Sequence, residues 1–103
     1  MAQMMTGKQA VLEMLKAEGV KHIFGNPGTS EGPIMDMLGD YPEFQYFLTL
    51  QESVAVGMGE SYARSTETAS CVMLHVDSGL ANGICLMLDA LNTGTPMVVM
   101  SAN

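Results

Sequence analysis

The sequence has few basic residues and no long apolar run, and each shortage argues against a class of protein. Four Lys and Arg stand against eleven Asp and Glu, a formal charge of -7. Charge of this sign disfavours binding to a phosphate backbone. No apolar segment reaches the length of a membrane span, and the amino-terminal MAQMMTGKQ lacks the parts of a secretion signal. We therefore expect a soluble protein whose partners include neither nucleic acid nor a membrane.

Cysteine is also scarce. Cys71 and Cys85 both lie in apolar segments, ASCVML and GICLML. We expect buried free thiols rather than a disulfide, which favours a reducing compartment and the cytoplasm. A chain of 103 residues forms one domain at most, with a modest core.

The apolar periodicity predicts strands that alternate with helices. The predicted helices cover residues 7–18, the segment from a Ser30 cap to Gly39, residues 52–65 and residues 78–94. The predicted strands are VKHIF, FQYFLTL, ASCVMLHV and PMVVMSA. Nearly continuous apolar strands joined by helices are typical of a parallel sheet with helices on both faces. The expected fold is therefore α/β, with about four strands and four helices.

Ligands of such sheets bind at the carboxyl ends of the strands. The segments that follow the predicted strands are GNPGTS, QE, HVDSG and SAN. Ser30, Glu52 and His75 in these segments carry groups that can hydrogen-bond or move protons. The architecture allows these three side chains to meet, although the sequence alone does not place them in one pocket.

Four segments follow one another over nearly the whole chain: VKHIFGNPGTSEGPIMDML, LQESVAVGMGESYARST, LHVDSGLANGI and GTPMVVMSAN. They resemble, in the same order, the successive motifs of the N-terminal, pyrimidine-binding domain of thiamine-diphosphate-dependent enzymes. A spaced pattern of the family is matched by Glu52, Ala55, Met58, Tyr62, Ala63 and Arg64. The Leu-Gln-Glu and Leu-His-Val forms, with Ser30 in the first loop, are closer to benzoylformate-decarboxylase-like 2-oxoacid decarboxylases. Acetolactate synthases usually show Arg-His-Glu and a Gly-Pro-Gly loop.

The resemblance implies thiamine diphosphate as the cofactor and gives Glu52 a role. In the family a glutamate hydrogen-bonds the N1' atom of the aminopyrimidine, which favours the tautomer whose 4'-imino group acts as a base. Leu50, Val54 and Val56 surround Glu52 in the sequence. We expect burial among them to raise the pKa of Glu52, against the opposing effect of the helix N-terminus.

The resemblance also assigns roles to five further residues. His75 is expected to hand protons to and from a reaction intermediate, since imidazole titrates near neutral pH. Ser30 either offers its hydroxyl to the substrate or caps the second helix, and both interpretations stay open. Gly28 is expected to allow a tight backbone path, and Gly79 and Asn82 to shape the wall beside the pyrimidine.

The family binds the diphosphate and Mg²⁺ with a Gly-Asp-Gly segment and a downstream Asn on a separate C-terminal domain. Residues 1–103 contain no such segment, so no metal ligand is expected here. We interpret them as part of the pyrimidine-binding domain, inactive alone. The resemblance implies a 2-oxoacid substrate and a homo-oligomer with active sites between subunits. Two alternatives are a fragment of an acetolactate-synthase-type carboligase and a stand-alone, non-catalytic binding module.

Overall fold

The computed structural model describes residues 3–102, in which helices and strands alternate. The helices are α1 (Gly7–Ala17), α2 (Gly32–Met37), α3 (Glu52–Thr66) and α4 (Ser78–Thr93), and a 3-10 turn at Leu38–Asp40 follows α2. The strands are β1 (His22–Gly25), β2 (Gln45–Leu48), β3 (Ser70–Leu74) and β4 (Met97–Ser101). No helix within residues 3–102 has both the length and the apolar character needed to cross a bilayer.

The four strands form one parallel sheet in the order β2-β1-β3-β4. This confirms the predicted fold. Strands β1 and β3 are the central pair, in a register that places Phe24 beside Val72. From β1 the chain runs through α2 to one edge, and from β3 it runs through α4 to the other. Connections that leave neighbouring strands in opposite directions open a crevice at the carboxyl ends of those strands.

Alternate residues of the central strands bury into two apolar clusters, one on each face of the sheet. On one face, Ile23 and Met73 pack with buried residues of α1 and partly buried residues of α2. On the other, Phe24, Val72 and Leu74 pack with α3 and α4. All five residues of β3 are buried, whereas the edge strands β2 and β4 are partly exposed. Helices therefore cover both faces, as predicted.

The start of the second helix differs from the prediction that Ser30 caps it. Helix α2 begins at Gly32, and Glu31 occupies the position before it without a side-chain capping bond. Pro33 lies in the first turn, where its fixed φ suits the helix and its missing N–H leaves one donor fewer to satisfy. The predicted cap is therefore wrong, because the turn at Thr29–Glu31 moves Ser30 out of the capping position.

The cysteines are correctly predicted only in part. Cys71 lies on β3 with its side chain fully buried, and burial raises the pKa of its thiol to about 12. Cys85 is exposed, so the expectation that it is buried was wrong. Helix α4 turns Gly79, Gly83 and Ala90 toward the core, and Cys85 projects from a different side of that helix.

Helix α3 packs closely on the sheet through a glycine. A Cβ added at Gly59 would lie 2.6 Å from Cγ2 of Val72, inside the distance that carbon atoms tolerate. Val72 is fully buried on the central strand β3, and its branched side chain is stiff. Gly57 on the same helix is different, because its added Cβ would meet only the end of the Leu86 side chain, at 3.2 Å.

We expect Gly59→Ala to destabilise the protein by about 1–3 kcal/mol, the usual cost of overpacking a core. Gly57→Ala is the matched control in the same helix, because Leu86 can yield. It is expected to be neutral or to stabilise by up to about 1 kcal/mol through helix propensity. Urea unfolding of both variants measures the difference, and equal stabilities would show that the contact with Val72 is not tight.

Candidate functional site

A buried carboxylate lies at the carboxyl-end edge of the sheet. Glu52 is the first residue of α3, and only 8% of it is exposed. Its Oε1 accepts a hydrogen bond from Nδ2 of Asn26, and its Oε2 accepts one from Nδ2 of Asn82, both at 3.2 Å. Asn26 follows β1 directly and Asn82 lies in the second turn of α4. Amide groups from two separate segments thus hold the two oxygens of one carboxylate.

The turn between β2 and α3 fixes where Glu52 begins its helix. Thr49 is buried, and its backbone N–H donates to the carbonyl of Gly25 at 2.8 Å, which ties the turn to the end of β1. The side-chain oxygen of Gln51 accepts from the N–H groups of Ser53 and Val54, at 2.7 and 3.2 Å. Gln51 therefore caps α3, and Glu52 is held in its first turn.

The pKa of Glu52 is lowered, not raised as the sequence had suggested. The largest cause is hydrogen bonding from the residue's own backbone at the helix start; burial opposes it, and the amides of Asn82 and Asn26 and the nearby His75 lower the pKa further. The apolar setting that we expected is also incomplete, because Leu50 is 95% exposed. Polar donors therefore outweigh desolvation, and the carboxylate is ionised at neutral pH.

A glycine separates Glu52 from the histidine that follows β3. A Cβ added at Gly79 would lie 2.9 Å from Cβ of His75 and 3.2 Å from Oε1 of Glu52. The side chains of His75 and Glu52 therefore both lie against Gly79, where a larger residue would not fit. The predicted residues Gly79, Asn82, Glu52 and His75 all belong to this one cluster.

The loop after β1 closes the other side of His75. A Cβ added at Gly28 would lie 2.1 Å from Nδ1 of His75, so the imidazole packs directly on the glycine backbone. Oε2 of Glu31 lies 3.5 Å from the same Nδ1. The His75 side chain is nevertheless 40% exposed, so part of the ring faces outward at this edge.

Ser30 is the candidate residue that the structure does not connect to this cluster. It is half-buried in the turn before α2, and within residues 3–102 it makes no side-chain cap to that helix. Its role toward a substrate stays a prediction. Asn26 and Glu31 were not among the predicted site residues, although Asn26 lies just after a predicted strand, where ligands of such sheets bind.

Several surface cavities lie away from this cluster. One of about 360 Å³ is lined by Glu13, Lys16 and Tyr41 among others, and one of about 400 Å³ lies between α4 and β4. Neither includes Glu52 or His75. The clustered polar residues thus occupy an edge of the sheet that these cavities do not reach.

The sequence matches one family over almost its whole length. A sequence model of the family described as "Thiamine pyrophosphate enzyme, N-terminal TPP binding domain" matches residues 5–103. The chain belongs to this family. Thiamine pyrophosphate is another name for thiamine diphosphate, so the family-level expectation for the cofactor is confirmed.

Two relatives of this thiamine-diphosphate-binding domain belong to different enzyme groups. The chain is 40% identical to a putative acetolactate synthase large subunit, IlvX, of Mycobacterium tuberculosis, over 93% of this chain and 19% of the relative. It is 36% identical to a benzoylformate decarboxylase of Pseudomonas aeruginosa, over 93% of this chain and 18% of the relative. The chain thus spans less than a fifth of either protein.

The solved structures give the same picture of the fold. A thiamine diphosphate-dependent 4-hydroxybenzoylformate decarboxylase of Rhodococcus jostii RHA1 superimposes with a TM-score of 0.89 at 31% identity, over 96% of this chain and 18% of that one. A benzoylformate decarboxylase of Polynucleobacter necessarius gives 0.86 at 30% identity, over 97% and 18%. The domain is therefore shared by enzymes of both groups, and the comparisons do not separate decarboxylase from synthase.

The lowered pKa of Glu52 predicts a pH-dependent contribution to stability. A carboxylate whose folded pKa lies below its unfolded value stabilises the fold above that value and loses the effect as pH falls through the folded pKa. Glu52→Gln is therefore expected to lower Tm at pH 7 by roughly 5 °C, the effect of about 1 kcal/mol in a domain of this size.

The difference in Tm between the wild type and Glu52→Gln should shrink below about pH 4, where glutamates protonate. Calorimetric scans between pH 3 and 7 measure it, with the exposed Glu18→Gln as the control for loss of one charge. A difference that stays constant across this range would contradict the lowered pKa.

Proposed function

We propose that this chain is the pyrimidine-binding part of a 2-oxoacid decarboxylase, in which Glu52 activates the aminopyrimidine of thiamine diphosphate. The observation that carries the proposal is the buried Glu52 carboxylate, held by Asn26 and Asn82 at the carboxyl-end edge of a parallel sheet, with His75 beside it. Strand ends at a crevice of this kind are where α/β proteins bind ligands.

The residues present fit the cofactor. Each oxygen of Glu52 accepts one amide hydrogen bond, and a carboxylate has about four acceptor positions in total, so capacity remains for a ring nitrogen. A side chain at position 28 would collide with His75, and one at position 79 would crowd His75 and Glu52, so the two glycines let these side chains take their places. Glu52, Gly28, Gly79 and Asn82 would therefore hold the aminopyrimidine.

Glu52 contributes a negative charge that attracts a proton onto a ring nitrogen bound beside it. When bound, thiamine diphosphate supplies a carbon nucleophile for the carbonyl group of a 2-oxoacid. The amides of Asn26 and Asn82 keep the Glu52 carboxylate in place and ionised before any ligand arrives. Preorganised groups of this kind avoid a reorganisation cost during the reaction.

His75 contributes the proton transfer. Its side chain is 40% exposed, and an added Cβ at Gly79 would contact both His75 and Glu52, which supports one site for the two groups. Its expected task is to protonate or deprotonate the reacting substrate. Ser30, from the loop after β1, is proposed to offer its hydroxyl to the substrate carboxylate.

The diphosphate and Mg²⁺ are assigned to residues outside 1–103, and the chain is proposed to be inactive alone. Exposed apolar residues on α3 and α4 are consistent with a protein partner that binds these helices. Val54, Ile84 and Leu88 are each exposed by half or more, and clustered apolar side chains on a surface favour association. We propose a homo-oligomer in which a second subunit completes the site.

The test is a chimera in which this chain replaces the matching segment of the Pseudomonas aeruginosa benzoylformate decarboxylase. Decarboxylation of benzoylformate that depends on thiamine diphosphate is expected. Glu52→Gln is expected to lower kcat at least 100-fold, the lower range for loss of a group that acts on protons. Stopped assays of carbon dioxide release measure the rate.

Glu18→Gln, an exposed carboxylate at the end of α1, is the matched control and should leave kcat within about twofold, as expected for a surface change. A chimera that binds thiamine diphosphate and turns over with Gln at position 52 as fast as with Glu would refute the role of Glu52. A chimera that folds and assembles but never binds the cofactor would favour the non-catalytic binding module.

A second candidate function is a carboligase of the acetolactate synthase type. The 40% identity to a putative acetolactate synthase large subunit favours it. The distinction rests on the fate of pyruvate: a decarboxylase releases acetaldehyde, whereas a synthase joins two molecules to give acetolactate. Product analysis of the protein that carries this chain separates the two candidates.

A further inference from the structure

A second carboxylate at the crevice has no part in the function described so far. Glu31 is only 4% exposed, although it lies in the turn between β1 and α2. Its Oε2 accepts a hydrogen bond from the backbone N–H of Gly28 at 2.7 Å, which fixes the side chain. Its Oε1 is buried without a hydrogen-bond partner among the residues that the structure describes. A buried charged group with unused acceptor capacity is costly unless another group draws on it.

The imidazole of His75 lies beside the other oxygen of Glu31, Oε2. Nδ1 of His75 is also buried without a hydrogen-bond partner within residues 3–102, and Oε2 of Glu31 lies 3.5 Å from it. This distance is longer than a formed hydrogen bond, and catalytic contacts often tighten only when a ligand binds. The Gly28 N–H could serve an unprotonated Nδ1, but it already donates to Glu31. Nδ1 therefore faces an acceptor and no free donor.

A hydrogen-bond acceptor beside Nδ1 decides which nitrogen of the His75 ring carries the proton. An ionised carboxylate cannot donate a hydrogen bond, so it favours the tautomer with a proton on Nδ1. Nε2 is then unprotonated. Since Nδ1 is buried against Gly28 and the side chain as a whole is 40% exposed, the outward part of the ring lies on the Nε2 side.

We propose that Glu31 is the positioning residue of His75, holding the imidazole as the Nδ1–H tautomer so that Nε2 faces the crevice as a proton acceptor. When Nε2 takes a proton from the site, the charge of the imidazolium is balanced by Glu31, and the same proton is returned from Nε2. The inference rests on the proposed proton transfer by His75, and it adds the group that sets the direction of that transfer.

The side chain of Tyr46 reaches the start of the same loop. Its hydroxyl is buried without a partner in the described part of the chain, close to Gly25 at the end of β1. Burial, and secondarily the charge of Glu31, raises the pKa of Tyr46 to about 12. The phenol of Tyr46 therefore stays neutral near neutral pH.

The test is the tautomer of His75, read from the imidazole nitrogens by long-range ¹H–¹⁵N correlation NMR of the whole chain. Only two histidines are present, so one His22→Gln variant completes the assignment. At a pH where His75 is neutral, Nδ1–H should exceed Nε2–H by about tenfold, the population effect of one hydrogen bond to a charged group. Glu31→Gln should bring the ratio to unity or reverse it, because the amide can donate to Nδ1.

Two matched controls separate this role from a general structural effect. Tyr46→Phe removes another buried polar group that has no partner among the described residues, and Glu18→Gln removes a surface charge. Both changes lie outside the Glu31–His75 pair and should leave the ratio within about twofold. A wild-type His75 protonated on Nε2, or a ratio that Glu31→Gln does not change, would overturn the proposal.

Folding of the variant is checked by amide dispersion. Should Glu31→Gln unfold, Glu31→Asp carries the comparison: it keeps the charge, draws the oxygens back by one methylene, and must show a smaller Nδ1–H preference than wild type. An equal preference would overturn the proposal. The tautomer is measured without turnover. Failure of the proposed enzymatic function would therefore not change the tautomer result, and failure of the tautomer prediction would not refute the enzymatic function.

Discussion

The parallel pairing of β1 with β3 is the constraint on which the rest of the structure depends. These two strands carry the buried apolar residues of both faces, and their connections leave in opposite directions. The loops after them therefore diverge and leave a crevice. Asn26 and Gly28 follow β1, His75 and Gly79 follow β3, and Gly28 packs against His75 at this edge. Burial of apolar surface thus positions polar groups that have little part in the core.

Hydrogen bonding to charge sets the character of the crevice. Two amides and the start of α3 keep Glu52 ionised despite its burial. A backbone N–H holds Glu31 in the adjoining loop. Two carboxylates on either side of one imidazole give a site that stabilises positive charge on a bound ring or on His75 itself. This electrostatic arrangement suits a cofactor whose activation requires a proton on a ring nitrogen.

Much of the fold could be predicted from the sequence, because continuous apolar strands and helical spacing are local signals. Glu52 and His75 were found from their positions after predicted strands, and the family resemblance added Gly79 and Asn82. The errors have two causes. The turn at Thr29–Glu31 and the hydrogen bonding at the start of α3 are local backbone features that residue type did not reveal, whereas the exposure of Cys85 depends on how α4 faces the sheet.

The sequence by itself determined the order of helices and strands, the choice of a parallel sheet and the family, since these follow from residue type and spacing along the chain. Only the tertiary structure decided which polar groups meet. Asn26 and Glu52 are 26 positions apart, and Asn82 lies 30 from Glu52. Their contact fixes the carboxylate and helps to keep it ionised. No local pattern encodes this contact, because hydrogen bonds between distant segments form only after the strands have paired.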